Sequence, residues 1–186
     1  MINASNPYTF HIGQQNLKTA FATTLTAFLY FLIERNPTFA CIGAIFGTGK
    51  DMGNSRLNGG NRFFGTIIGG LLGMLLFRIY IIFYPDGNPH HMLMFIFVFI
   101  GVMFLILASR LVHWLGAIQP GGVVLCIILF NTPVDTYISY SINRMIDTGV
   151  GVAIALLVSW LLPRERMHKI MHFLHLRHDH PEEQDA

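Results

Sequence analysis

The segments NRFFGTIIGG (61–70) and NRMIDTGVGV (143–152) share a spacing of polar residues that suits the binding of an anion. Each opens an apolar run with Asn-Arg and then places a threonine at its sixth position and a glycine at its ninth. An arginine in the first turn of a helix adds a cation to the positive end of the macrodipole, so a carboxylate or phosphate is favoured between that cation and the free amides. On a helix the arginine, the threonine and the small residues share one face. The candidate binding residues are Arg62 and Thr66 in the first segment and Arg144 and Thr148 in the second.

Other roles are open to the same residues. The two asparagines are candidates for helix N-caps, and Arg62 can instead extend to lipid phosphates at the membrane surface. The last helix can also begin as early as Asp135, which would place Arg144 about two turns inside the membrane with Asp147 as its ion-pair partner. An ion pair inside the membrane is costly and is therefore a functional candidate, with a structural clasp as the alternative.

The C-terminal segment 164–186 is rich in histidine. His168, His172 and His175 have spacings of four and three, which would put them on one helical face as a zinc site requires. An apolar stripe lies beside them, so an amphipathic helix on the membrane surface accounts for the segment without metal. We therefore predict no metal site. The chain also has no nucleophile elbow, P-loop or HExxH motif, so we predict neither an enzyme nor a cofactor.

The helices that must position these residues are expected to lie in lipid. Apolar residues make up 53% of the chain and charged residues only 12%, which is about half the charged fraction of a soluble domain. Long apolar runs occupy 20–33, 63–83, 92–109 and 148–162, and shorter ones occupy 39–47 and 114–130. These runs predict an all-α integral membrane protein with six transmembrane helices in residues 1–163. The bilayer is the expected partner, and nucleic acid is not.

A shift of 82 residues aligns the two Asn-Arg segments, including their threonines and glycines. The same shift places 39–48 over 121–130. The identity is sparse, so a chance alignment is the alternative. A real repeat would have three helices per unit, and an odd number forces the second copy to lie inverted in the membrane, as in many transporters. The predicted halves are 13–84 and 92–163.

Short or broken helices in corresponding positions of such halves predict a binding site near the middle of the membrane. The run after Asn-Pro (36–37) is short and contains glycines, and the run 114–130 is interrupted by QPGG (119–122). We predict a break at the proline, because a proline removes one backbone donor inside a helix. The alternative is a packing kink without a ligand. The backbone positions concerned are Gly43, Gly47, Pro120, Gly121 and Gly122.

Lysine and arginine are concentrated in the connection between the second and third helices and in the C-terminal tail. The connections between the third and fourth and between the fifth and sixth helices carry only Arg144, at the end of the latter. Since basic loops remain in the cytoplasm, both termini are predicted to be cytoplasmic.

The segment NLKTAFATTLTAFLYFL (16–32), the glycine-rich polar link, the NRxxGTxxG turn and NRMIDTGVGVAIALLVSWLLP (143–163) together resemble the fusaric acid resistance and aromatic acid exporter superfamily. Plant aluminium-activated malate transporters are similar in the same region. The resemblance covers residues 13–163. It implies six helices per subunit, a homo-oligomer, and passage of organic anions, often aromatic carboxylates, out of the cytoplasm. By position, Lys18, Arg62 and Arg144 fall where family members keep basic residues beside the membrane core.

The sequence therefore predicts a homo-oligomeric exporter of organic anions in the bacterial inner membrane. Arg62 and Arg144 are its anion-attracting residues, and Lys18 is the third candidate. The rival interpretation is a membrane scaffold or accessory subunit without transport activity, which would use its glycine ridges and histidine-rich tail only for assembly.

Overall fold

A computed structural model describes residues 13–163 and Arg166. It contains no strand in this part of the chain, which confirms the all-helical class. The helices are α1 (Gln14–Leu32), α2 (Thr38–Gly47), α3 (Met52–Phe83), α4 (Met92–Leu111), α5 (Ile118–Asn131) and α6 (Tyr137–Leu161), with a 3-10 turn at Leu115–Ala117 before α5. His168, His172 and His175 lie outside the described residues, so the two interpretations of the tail stay predictions.

Three of the described helices, α3, α4 and α6, are long and apolar enough to cross a membrane. Two further apolar stretches, Thr38–Gly47 and Leu115–Asn131, are shorter than a full span. Their shortness agrees with the prediction that the second and fifth helices are unusual. The protein is thus an all-α membrane protein, and the count of six crossings stays a prediction.

The helix that carries Arg62 begins a full ten residues before the arginine. Asp51 caps α3 by accepting a hydrogen bond from the amide of Asn54 at 2.8 Å, so Asn61 lies in the interior of the helix. Asn143 likewise lies in the interior of α6. The prediction that these asparagines cap helices is therefore wrong, and neither arginine lies in the first turn of its own helix.

Packing explains why the glycine-rich stretch before Asn61 is helical in spite of its low propensity. Gly59 lies so close to Val152 of α6 that an added methyl group would approach the valine side chain to 2.7 Å. Ser55 and Ser159 bring their hydroxyl oxygens to 2.8 Å across the same interface. The small residues stabilise this helix because they let α6 pack closely against it. Helix propensity considers one segment alone and does not include this contact.

The break predicted at Pro120 is also wrong. The helix α5 begins at Ile118, so the proline lies in its first turn, where a backbone N–H would have had no intrahelical partner in any case. The proline packs against Gly65 of α3, and Gly121 packs against Gly69. These contacts favour the packing interpretation of the QPGG segment.

The long helices α3 and α6 run antiparallel along each other. Ser55 meets Ser159 at one end, and the rings of Phe77 and Tyr137 lie 5.2 Å apart at the other. The short helix α2 packs on α6, where Gly151 lies against Ala40, and the short helix α5 packs on α3, where Gly69 lies against Gly121. The outer helix α1 covers α2 and α6, and α4 covers α5 and α3. The arginines are thereby enclosed between α2, α3 and α6.

Candidate anion site

Arg62 is a buried cation for which the described residues provide no counter-ion. Its side chain is 8% exposed, its Nε atom has no hydrogen-bond partner, and no carboxylate in the described part of the chain forms an ion pair with it. The guanidinium carbon lies 5.4 Å from the centre of the Phe46 ring, within the range of a cation–π contact. This burial inside the bundle argues against the prediction that Arg62 extends to lipid phosphates. Because a buried unpaired charge is strongly destabilising, the position is a candidate for binding an anion.

Arg144 lies even deeper, at 2% exposure. It donates a hydrogen bond to the Tyr140 hydroxyl at 3.0 Å and lies 4.1 Å from the centre of the Phe39 ring, while its Nε atom has no partner within the described residues. Phe39 and Phe46 are seven residues apart on α2, which is about 10 Å along a helix. The two arginines therefore lie at opposite ends of α2, each over an aromatic ring, and they are close enough for their charges to repel each other.

The two predicted threonines differ in their hydrogen bonding. Both are fully buried, but Thr66 donates to the Arg62 carbonyl of its own helix at 2.9 Å, whereas the Thr148 hydroxyl has no partner within the described residues. Thr148 lies one turn after Arg144 on α6 and against Gly43 of α2. Arg62, Arg144 and Thr148 thus each have one buried polar atom without a partner within the described residues, and all three belong to the region where α2, α3 and α6 meet. Thr148 can donate a hydrogen bond to a ligand without giving up an existing one, and Thr66 cannot.

Lys18 is 1% exposed and lies on the buried face of α1. Its neighbours on that helix place it along α2, because Gln15 donates to the Thr48 carbonyl at 3.5 Å and Ala22 packs against Ala44. Lys18 is therefore near the C-terminal end of α2, where Phe46 and Arg62 also lie. Cations are favoured there because the carbonyl end of a helix carries partial negative charge.

The partner predicted for Asp147 is wrong. Its carboxylate pairs with Arg35 at 3.1 Å and accepts a hydrogen bond from the Tyr30 hydroxyl at 2.9 Å, while Arg144 points instead to Tyr140 and Phe39. Arg35 lies in the connection between α1 and α2, more than a hundred residues away in sequence, so the local spacing that suggested Arg144 could not reveal it.

Four of the five candidate backbone positions, Gly43, Gly47, Pro120 and Gly121, lie in close contact with another helix. Gly43 and Gly47 let α2 approach α6 at Thr148, Val152 and Ala155, whereas Gly122 has only Leu105 nearby, at 3.8 Å from the position of an added methyl group. Phe39 and Phe46 were not predicted from the sequence, since phenylalanine is abundant in every apolar run of this chain.

The family described as fusaric acid resistance protein-like matches residues 19–158. No curated protein and no solved structure shows significant similarity to the chain. The matched range runs from the first turns of α1 almost to the end of α6, so it includes every candidate residue of the anion site except Lys18, which directly precedes it. The chain belongs to the fusaric acid resistance protein-like family of membrane proteins.

Proposed function

We propose that this protein carries organic anions across the bacterial inner membrane and that Arg62 and Arg144 attract them, with Lys18 adding positive charge near Arg62. The family is one of transport and resistance proteins. The observation that carries the proposal is the burial of Arg62, whose Nε atom has no hydrogen-bond partner within the described residues. A permeating anion supplies the counter-ion that the described residues do not provide for Arg62. Its binding must remain weak enough to permit release.

Aromatic carboxylates are the substrates that suit this region best. Each arginine lies over a phenylalanine ring of α2, so a carboxylate can bind the guanidinium while an attached ring packs on Phe39 or Phe46. Phe46 is 60% exposed and so remains available to a ligand or a neighbouring subunit. We also propose that the protein functions as a homo-oligomer.

We further propose that the chain consists of two inverted three-helix halves. Equivalent helices have equivalent neighbours, since α2 packs on α6 as α5 packs on α3. Thr66 and Thr148, which the 82-residue shift relates, lie at the same height of the antiparallel pair α3 and α6. Contacts on either side of them join Phe63 to Gly149 and Gly70 to Met145. A two-fold axis in the membrane plane would pass between these threonines.

The proposed function is tested by flux of benzoate and related acids into proteoliposomes. We expect Arg62→Gln to weaken anion binding and flux roughly tenfold or more, because a hydrogen bond to a charged group contributes about 1.5–3 kcal/mol. Arg62→Lys should restore part of the flux, since the charge remains and the planar fork is lost.

The matched control is Arg78→Gln, which removes an exposed arginine from the same helix. Its flux should equal that of the wild type. Unchanged flux in a properly inserted Arg62→Gln protein would contradict the proposal and favour the scaffold.

The proposed orientation gives a separate prediction. Contacts place the start of α1 beside the end of α2 and the start of α3 beside the end of α6, and Lys50 and Arg56 lie at this end. With Cys41 and Cys126 replaced by alanine, a cysteine at Asn54 should resist an impermeant external thiol reagent. A cysteine at the exposed Asp86, in the connection between α3 and α4, should react. Labelling at Asn54 in intact cells would contradict the cytoplasmic assignment of this end.

A further inference from the structure

Asp147 is the one buried carboxylate in the described part of the chain. Its side chain lies in α6 at 5% exposure, within the region that holds Arg144 and Thr148. All other buried charged side chains of the described residues are cations: Lys18, Arg62 and Arg144. Asp147 is thus a fixed negative charge among the cations that are proposed to bind the transported anion. It must affect how strongly that anion binds, because the two negative charges repel each other and compete for the same hydrogen-bond donors.

Two groups from α1 and the following connection hold this carboxylate on one side. One carboxylate oxygen of Asp147, Oδ1, accepts a hydrogen bond from the Tyr30 hydroxyl at 2.9 Å and forms an ion pair with Nη2 of Arg35 at 3.1 Å. The same Nη2 atom donates to the side-chain oxygen of Asn143 at 3.0 Å. The side chain of Arg35 is 38% exposed, so this ion pair is the outermost part of the cluster and the part most easily broken.

Arg144 is the nearest buried cation to this carboxylate in sequence, and its Nε atom has no partner within the described residues. It precedes Asp147 by three residues on the same helix, a spacing at which side chains are neighbours. In the present arrangement its guanidinium donates to Tyr140 and stacks on Phe39, and its Nε atom is buried without a partner. An arginine in another rotamer can pair with a carboxylate at this spacing.

We propose that Asp147 is an internal competitor of the transported anion for Arg144. In the anion-bound state Arg35 and Tyr30 hold the aspartate and Arg144 binds the substrate carboxylate. In the empty state Arg144 turns to Asp147, which neutralises its charge and stabilises the site without a ligand. Each release of substrate is thereby favoured by an intramolecular ion pair, which keeps the affinity low enough for passage. This inference rests on the proposed function and names the residue that sets its affinity.

The test is benzoate binding to the purified full-length protein, measured for variants of Asp147 and of the groups that hold it. Asp147→Asn removes the competing charge and keeps the shape, so we expect benzoate to bind about tenfold more tightly, a typical size for the coupling between two sites. Asp135→Asn is the matched control, because Asp135 is an exposed acid just before α6, and its affinity should not change. In an Arg144→Gln background the gain from Asp147→Asn should vanish.

Tyr30→Phe tests the same inference with the opposite sign and without any change of charge. Loss of the Tyr30 hydroxyl frees Asp147 for Arg144, so benzoate should bind a few-fold more weakly. This variant also serves if Asp147→Asn does not fold. Equal or weaker binding in a folded Asp147→Asn protein, or unchanged binding in Tyr30→Phe, would overturn the inference.

The same experiment distinguishes rejection of the proposed function from rejection of this inference. If the wild type binds benzoate and Arg62→Gln weakens that binding, but Asp147→Asn has no effect, only the competitor is rejected. If the wild type binds none of the tested acids, both the anion site and its competitor are rejected.

Discussion

Arg62→Asp is expected to reduce benzoate flux by more than about a hundredfold. The substitution removes a charge-assisted hydrogen bond of about 1.5–3 kcal/mol and adds a repulsion between the new carboxylate and the anion. Two effects of that size together exceed about 2.8 kcal/mol, which corresponds to a factor of a hundred in binding. Flux in proteoliposomes at equal protein density is the measurement. Arg62→Met separates the loss of the cation from the added anion and should show a smaller loss.

The Arg62→Met variant should be at least as stable as the wild type. Arg62 is buried in the same region as Arg144 and has no counter-ion among the described residues, so its own charge opposes folding. Methionine removes this charge and keeps a similar volume. We therefore expect an unchanged or higher melting temperature in detergent together with the loss of flux. A loss of flux that is accompanied by unfolding would instead show that Arg62 is needed for the structure.

Local signals in the sequence were sufficient for the helical class and for the unusual length of α2. Apolar runs, and the Asn-Pro that precedes α2, act over a few residues and can be recognised within one segment. The choice of Arg62 and Arg144 likewise depended on a cation placed at the edge of an apolar run, and both proved to be buried. Their burial follows from the cost of exposing a charged side chain to lipid, because such a side chain then faces the interior of the bundle.

Contacts between distant segments could not be predicted in the same way. The α3 helix extends back to Met52 because small residues such as Gly59 let Val152 of α6 pack closely against it. Nothing in the glycine-rich segment before Asn61 indicates this partner. The pairing of Asp147 with Arg35 depends on where α1 ends relative to α6. The sequence supplied the charged residues, whereas the partner of each charge depends on helix packing.

The same distinction applies to the site. Whether a buried atom such as Nε of Arg62 has a hydrogen-bond partner depends on every residue around it, and only the packed structure shows those residues. The aromatic rings over which the arginines lie are likewise two of sixteen phenylalanines in the chain, and no spacing distinguishes them before α2 is placed.

Gly151→Ala is expected to prevent the bundle from assembling. A methyl group at this position would overlap the backbone carbonyl of Ala40, and a backbone cannot move aside as the end of a flexible side chain can. Overpacking of an ordinary core costs about 1–3 kcal/mol, and an overlap between two helix backbones should exceed that range because α2 as a whole must shift. The measurement is the yield of monodisperse protein in detergent and its melting temperature.

Gly69→Ala should have the same effect, because a methyl group there would overlap the carbonyl of Gly121 where α5 packs on α3. Gly69 and Gly151 are related by the 82-residue shift, so two inverted halves predict equal losses from the two substitutions. Gly122→Ala is the matched control, since the nearest atom would lie 3.8 Å from the added methyl group, and it should assemble normally. Tolerance of Gly151→Ala would contradict the close approach of α2 to α6. A large loss from one glycine and none from the other would show that the two interfaces are not equivalent, and the shared motif would then be a coincidence of packing.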